Sequence, residues 1–343
     1  MKAIAQIKPS LPSDYSSLID LELPKPAPSG RDLLVRVEAI SVNPVDTKVR
    51  RGRSAKEAEP RVLGWDAAGI VEATGPEATF FKPGDTVFYA GAIARPGSNA
   101  EFQLVDERIV GHKPATLSFA DAAALPLTTL TAWESFVDRL GVDAQGGSSG
   151  KTLLILAGAG GVGSIGIQLA KFFNLTVIAT ASRPESAQWC RDLGATHVIN
   201  HREPLRPQID ALGFSRVDFI ANFCDTDGYW DAMADLIAPQ GRIVSIVENS
   251  GPLELGLLKS KSAAFSWESM FTRSMFQTPD IAEQGGILNQ IAALIDAGTL
   301  RTTHTETLSP IGAANLREAH ARLESGRTIG KLVLAGWSTA EKA

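Results

Sequence analysis

The stretch Leu153-Leu154-Ile155-Leu156-Ala157-Gly158-Ala159-Gly160-Gly161-Val162-Gly163 runs as an apolar strand, breaks into glycines and restarts as a helix from Ile165 to Phe173. Gly158, Gly160 and Gly163 fall at the spacing of a dinucleotide-binding turn, with Gly161 and Val162 inside it. In such a turn the first glycine permits the tight reversal, the second admits a pyrophosphate against the backbone, and the third lets helix and strand pack closely. The helix N-terminus then faces the phosphate charge. A second strand, Thr176 to Ala179, follows after a short turn. This order predicts a bound nicotinamide dinucleotide.

The end of that second strand selects between dinucleotides, because an NAD site places a carboxylate there against the ribose 2′-hydroxyl. The chain instead reads Ala179-Thr180-Ala181-Ser182-Arg183, and no acid occurs before Glu185. Nothing there repels a 2′-phosphate, and Arg183 with the Ser182 hydroxyl can hold one by charge-assisted hydrogen bonds. NADPH is the expected cofactor. The competing reading makes Ser182 the cap of the next helix, with Pro184 in its first turn, and Arg183 a solvated charge.

Outward from this turn, strands and helices alternate from 151 to about 250, which implies a parallel, doubly wound sheet. The strands read as Lys151–Leu156, Thr176–Ala179, His197–Asn200, Val217–Ala221 and Arg242–Val247. Residues 1 to about 125 read differently, as short strands such as Asp32–Ala39, Gly69–Ala73, Thr86–Tyr89 and Glu101–Val105, with Lys82-Pro83-Gly84-Asp85 as a turn. Ser118 caps a helical turn, and Thr128 to Leu140 continues as a helix entering the nucleotide fold. Late in the chain, Ile287, Ile291, Leu294 and Ile295 mark an amphipathic helix; another is expected after a Ser309-Pro310 cap, before a last strand Lys331–Leu334.

With 343 residues, two domains are the default; 44% hydrophobic and 21% charged residues are ordinary for a globular protein. A net charge of −5 argues against a nucleic-acid partner, although Arg50, Arg51, Arg53 and Lys56 form a small basic cluster, read as a solvated loop. Two cysteines, Cys190 and Cys224, exclude a disulfide framework and a four-cysteine zinc site, and fit a reducing compartment. The N-terminus alternates like a strand, and no long apolar run occurs, so no membrane span and a cytoplasmic location are expected.

Taken together, these motifs resemble the medium-chain dehydrogenase/reductase superfamily over essentially the whole chain, and within it the zinc-free quinone oxidoreductase branch. The matching residues are Ser41-Val42-Asn43-Pro44-Val45-Asp46-Thr47-Lys48 with Arg51-Gly52, Gly64-Trp65-Asp66-Ala67-Ala68-Gly69 and Pro83-Gly84-Asp85. Ala124-Leu125-Pro126, Thr131-Ala132-Trp133, the glycine turn and Gly330-Lys331 complete them. They are similar in particular to a bacterial subgroup called zinc-type alcohol dehydrogenase-like. The resemblance implies an α/β fold in which a GroES-like β-rich domain, 1–126 completed by 280–343, accompanies a Rossmann domain, 127–279. It also implies a homodimer through the Rossmann sheet edge, for which Lys261 to Trp267 is the candidate.

In the zinc-dependent relatives a cysteine, a His-Glu pair and a second cysteine hold the catalytic metal; here the matching places are Asn43, Trp65 with Asp66, and Leu127. One carboxylate cannot hold zinc, so no metal is expected. Without a Lewis acid, alcohol oxidation is unattractive. A quinone or an α,β-unsaturated carbonyl takes hydride directly onto carbon, leaving charge on an oxygen that hydrogen-bond donors stabilise. Asn43 is read as that donor. Asp46 is the second catalytic candidate, to orient the nicotinamide ribose, relay a proton or hold Asn43; the pair also reads as a helix cap. The resemblance further implies that Thr131 faces the nicotinamide, that His201 lies near the adenosine phosphate and that Lys331 lies near the cofactor.

Tyr89, Phe102, Trp267, Met270, Phe271 and Phe276 offer an apolar lining for a planar acceptor, although aromatic clusters are usually core. Cys224, at the end of a strand, reads as a spectator thiol beside the cofactor. The expected activity is delivery of hydride from NADPH to a small electrophilic substrate without a metal. The alternatives are a zinc alcohol dehydrogenase, which the missing ligands disfavour, an NADPH-binding sensor with little turnover, and a single-stranded RNA binder, which the acidic composition disfavours.

Overall fold

In the computed structural model, the described residues are 1–9, 14–52 and 59–338, so Arg53 and Lys56 of the basic cluster lie outside them. The chain divides into two compact units, Met1–Leu127 with Phe271–Ala343, and Thr128–Met270. The first unit opens with β1 (Lys2–Gln6), β2 (Leu18–Glu22), β3 (Asp32–Ser41), α1 (Pro44–Arg51), β4 (Arg61–Val62), β5 (Ala67–Thr74), β6 (Thr86–Tyr89), β7 (Phe102–Asp106) and β8 (Val110–His112). Helices α2 (Phe119–Ala123) and α3 (Pro126–Trp133) follow, and α3 widens into a π-turn, Glu134–Arg139.

The second unit alternates β9 (Thr152–Leu156), α4 (Gly161–Phe172), β10 (Thr176–Thr180), α5 (Pro184–Asp192), β11 (His197–Ile199), α6 (Leu205–Ala211), β12 (Val217–Asn222), α7 (Thr226–Leu236), β13 (Ile237–Ser245), α8 (Gly256–Lys259) and β14 (Ala264–Trp267). The chain returns to the first unit through α9 (Thr272–Phe276), α10 (Glu283–Asp296), β15 (His304–Leu308), α11 (Ala313–Glu324) and β16 (Lys331–Ala335).

In the second unit all six strands run parallel in the order β11-β10-β9-β12-β13-β14. Helices on both faces explain why β9 is buried along its whole length and why it reads as an unbroken apolar run. Leu154, Ile220 and Ile243 from the sheet pack with Trp230 and Met233 of α7 in one core. The first unit is built mainly from antiparallel pairing: a small sheet β2-β1-β4, and a larger one β15-β16-β3-β5-β6-β8 with β7 also on β3, in which β15 alone joins its neighbour β16 in parallel. Pairing of β16 with β3, Val333 opposite Ser41, carries the returning chain into the heart of the first unit.

Several local expectations are corrected. Helix α11 is capped by Gly312, not by Ser309-Pro310, because the Ser309 hydroxyl donates to the Ala335 carbonyl at 2.9 Å while Asp20 of β2 accepts the Ala313 N–H at 2.9 Å. Helix α5 begins at an Arg183 cap, so Ser182 is not its cap. Arg50 is not solvated: it is fully buried, 2.9 Å from Glu324, under the ring of Tyr15. Among the described residues, no helix is long and apolar enough to cross a membrane.

Candidate functional site

A buried polar cluster lies within the first unit, at the junction of three chain segments. Asn43 caps α1, Asp66 sits just before β5, and Lys331 opens β16. The Lys331 ammonium donates to the Val42 carbonyl at 2.8 Å, to Asn43 Oδ1 at 2.5 Å and to Asp66 Oδ2 at 3.1 Å, which uses all three of its protons. Asp66 Oδ2 also accepts from Asn43 Nδ2 at 2.8 Å and from the Ser41 hydroxyl at 3.1 Å, and Oδ1 takes the Leu127 N–H at 2.8 Å. Burial pushes the Asp66 pKa up, and the Lys331 charge pulls it back. Each of these neighbours donates, the arrangement an ionised carboxylate requires.

The remaining Asn43 amide proton points to the Trp65 carbonyl at 3.3 Å, so the side chain is committed on both sides. Asp46, one turn into α1, reaches back to the Asn43 N–H with Oδ2 at 2.9 Å, as in a capping box. Its Oδ1 is buried without a partner among the described residues. Burial raises the Asp46 pKa to about 7; the Asn43 hydrogen bond and Lys331 oppose the shift, and Asp66 adds to it. The structure therefore brings Asn43, Asp46 and Lys331 together. Of the three, Asp46 alone has a buried side-chain polar atom with no hydrogen-bond partner among the described residues.

In the second unit the glycine turn has the geometry of a phosphate cradle, with one redistribution of roles. The left-handed residue is Ala157, at φ 64°, rather than a glycine. Gly158 lies so close to β10 that a Cβ there would sit 2.8 Å from that of Ala179. At Gly163 a Cβ would lie 2.3 Å from the Ala157 carbonyl oxygen, which brings the first turn of α4 directly onto the loop. Gly160 caps α4, and Gly161, Val162 and Gly163 form its first turn, whose N–H groups are available to an anion.

Beside this turn, β10 and β11 end side by side, with the Ala181 N–H bonded to the Ile199 carbonyl at 2.9 Å. Ser182 and Arg183 leave one strand and His201 the other. Arg183 Nε lies 3.0 Å from Glu185. Burial, then the charges of Arg202 and Arg183, hold His201 below its ordinary pKa, which places all three basic side chains in one neighbourhood. Arg202 escapes the sequence reading because nothing in a lone basic residue after a strand distinguishes it from a solvated one.

Thr131 is buried on α3. Cys224 is half-buried, and burial raises its thiol to about 11, as befits a spectator. The aromatic candidates scatter: Tyr89 is fully buried, Phe102 lies under the Lys25 ammonium, Phe271 packs edge-on against Trp65, and Trp267 and Phe276 are exposed. In neither unit do they form a continuous lining.

A family profile described as alcohol dehydrogenase GroES-like domain matches residues 29–130, and one described as zinc-binding dehydrogenase matches 193–334. A zinc-type alcohol dehydrogenase-like protein of Staphylococcus aureus is 44% identical over 97% of this chain and 99% of its own length. A solved structure from Rhizobium etli, put forward as a zinc-dependent alcohol dehydrogenase, is 54% identical with a TM-score of 0.93, covering 99% of each chain. Escherichia coli quinone oxidoreductase, solved with NADPH, is 25% identical with a TM-score of 0.81 over 98% of this chain and 100% of its own.

The zinc in those names does not fit the residues present. Asp66 is the one carboxylate among Asn43, Asp66 and Leu127, and its oxygens already face four donors, one of them a fixed ammonium. Leu127 presents an N–H rather than a lone pair, and the Asn43 oxygen is taken by Lys331. Four-coordinate zinc needs thiolate, imidazole or carboxylate ligands, and of these positions Asp66 alone supplies one; among the described residues no group of three such side chains could hold a metal ion. The nicotinamide dinucleotide, in contrast, fits the glycine cradle. The chain is an oxidoreductase of the medium-chain dehydrogenase/reductase superfamily, a family that uses nicotinamide cofactors, and it groups with the zinc-type alcohol dehydrogenase-like proteins.

Proposed function

We propose that this protein is an NADPH-dependent reductase that works without a metal and delivers hydride to a quinone or an α,β-unsaturated carbonyl. The observation that carries the reading is the pairing of Lys331 with Asp66 and Asn43, which fills with an ammonium the place where a metal would otherwise polarise an alcohol. When bound, the nicotinamide supplies the hydride. The chain's part is to position the cofactor and acceptor and to manage one proton.

Asp46 is the group suited to that proton. With a pKa raised to about 7 it carries a proton on a substantial fraction of molecules at neutral pH, and its unpartnered Oδ1 is then a hydrogen-bond donor. Asn43, locked by Lys331 and Asp66, serves in this geometry to hold the backbone N–H that Asp46 Oδ2 accepts. Arg183, Ser182, His201 and Arg202 support NADPH over NADH, because no carboxylate stands at the end of β10 and three basic side chains gather beside it. The open edge of β14, with exposed Ala264 and Trp267, supports a homodimer formed by sheet continuation.

The test is NADPH oxidation against a panel of quinones, enals and enones, with NADH and with simple alcohols plus NADP as controls. Turnover of the electron-poor acceptors with preference for NADPH supports the reading. Turnover confined to alcohols contradicts it, and tight NADPH binding with no turnover of any acceptor favours a sensor.

A further inference from the structure

Two neighbouring strands of the second unit end on buried polar side chains that neither the phosphate cradle nor the basic cluster uses. β12 is apolar from Phe219 to Ala221 and β13 at Ile243 and Val244, and the strands then finish on Asn222 and Ser245. These two lie side by side in register, and on its other side Asn222 faces Leu156, the last residue of β9 before the glycine turn. Thr226, which opens α7, is the third member, and none of the three is more than 1% exposed.

Their hydrogen bonds run in one direction only. The Cys224 N–H, at 3.3 Å, and the Cys224 thiol, at 3.6 Å, both meet Asn222 Oδ1. A backbone N–H can only donate, so the amide oxygen must face it, and Nδ2 then gives its two protons to Thr226 Oγ1 at 3.2 Å and Ser245 Oγ at 3.1 Å. Thr226 gives its own proton to the Val247 carbonyl at 2.5 Å. The two hydroxyls are 2.6 Å apart, so the Ser245 proton goes to Thr226. The Ile246 N–H on the Asn222 carbonyl at 3.3 Å closes the arrangement, and the chain leaving β12 is tied to the chain leaving β13. Apolar side chains of similar size would pack these strand ends without burying polar groups, whereas a fully satisfied network fixes one geometry.

We propose that Asn222, Thr226 and Ser245 are positioning residues for the nicotinamide half of the dinucleotide, because their network holds the segments after β12 and β13 in the one shape that this half meets. A dinucleotide lies across the carboxyl ends of an open parallel sheet, with its pyrophosphate at the glycine turn and one mononucleotide to each side. Arg183, His201 and Arg202 stand at the ends of β10 and β11, on one side of β9. The adenosine half belongs to that side, which leaves the nicotinamide half to β12 and β13 on the other. This assignment of halves rests on the NADPH reading; the network does not. Being buried, the three side chains act through the backbone segments that they tie together. Removing one hydroxyl lets those segments shift, and a small shift matters far more to hydride delivery than to affinity, which the phosphate contacts supply.

The experiment compares the wild type with Thr226→Val, which keeps the shape and removes the hydroxyl, Thr226→Ser, which keeps the hydroxyl, and Ser245→Ala, all well below their unfolding temperatures. Each is followed by amide hydrogen exchange without cofactor, by the fluorescence of bound NADPH, and by turnover of a quinone or enone with NADPH deuterated at its transferable hydrogen. In Thr226→Val the amides of residues 223–226 and 246–247 should exchange faster, and bound NADPH should lose the emission gain expected on the wild type. Its kcat should fall by about tenfold or more with a larger isotope effect, while the Kd for NADPH changes little. Thr226→Ser should match the wild type throughout, and Ser245→Ala decides the matter where Thr226→Val does not fold. Faster exchange with unchanged emission and kcat assigns the network to stability alone and overturns the proposal, as does a loss of affinity with kcat intact. A wild type that binds NADPH but reduces no acceptor defeats the reductase reading alone, and the emission of bound NADPH in the variants then decides whether the network positions it. A wild type that binds neither NADPH nor NADH overturns both.

Discussion

At the scale of single residues, Lys331 and Asp46 carry the account. Lys331→Met removes the cation bonded to Asp66 and leaves a buried carboxylate and a buried amide oxygen without the ammonium that both accept from. Breaking a buried pair in this way costs about 3–5 kcal/mol. Urea unfolding should show that loss, and the double variant with Asp66→Asn should recover part of it; an additive double variant would contradict a coupled pair. Asp46 has a folded-state pKa of about 7 against an ordinary value of 3.8, so the folded state binds more protons than the unfolded state between those values. Stability contributed by its neutral form is therefore lost as pH rises across that window, and Asp46→Asn should gain on the wild type from low to neutral pH in thermal unfolding. In turnover, the same variant should lower kcat by about a hundredfold and lack the decline above neutrality that is expected of the wild type. A pH profile unchanged by the substitution would remove Asp46 from the proton path.

At the scale of elements, the glycine turn makes a contrast testable within one protein. Gly163→Ala drives a methyl group to within 2.3 Å of the Ala157 carbonyl oxygen and should abolish dinucleotide binding or folding of the second unit. Gly286→Ala lies in α10 with nothing within 4 Å of the new carbon, and should instead stabilise the protein by about 0.5–1 kcal/mol through helix propensity. Equal effects of the two in denaturant titrations would contradict the close-approach geometry. The turn was legible because strand, glycine and helix signals are local: β9 and α4 are read from their own apolar pattern. Local signals also mislead by a residue or two. Ser182 and Ser309 look like caps, but Arg183 occupies the first cap, and the hydroxyl of Ser309 is drawn to the Ala335 carbonyl. The π-turn left no trace in the sequence, since Glu134–Arg139 has an ordinary helical composition, and Glu268, which pairs with its Arg139, lies far along the chain.

At the scale of the whole molecule, two units of different construction and the parallel sheet order follow from the alternation of strands and helices. The site depends on contacts of long range. Lys331 meets Asp66 across 265 positions, and no periodicity in either segment announces the pairing; the sequence places Asn43 and Asp46 on one turn but leaves their roles open. Cofactor choice is likewise a sum over elements. Arg183→Ala combined with Arg202→Ala should weaken NADPH by about tenfold or more, the worth of charge-assisted contacts, while NADH changes little. A lysine placed on the open sheet edge, Ala264→Lys, should convert a dimer to a monomer in sedimentation analysis, and an unchanged mass would move the interface elsewhere. The most direct test of the central claim is NADPH oxidation with a quinone or enone by chelator-treated protein, with zinc counted by mass spectrometry in the same sample. The account predicts full turnover at far less than one zinc per chain; turnover that disappears with the metal and returns with stoichiometric zinc would contradict it.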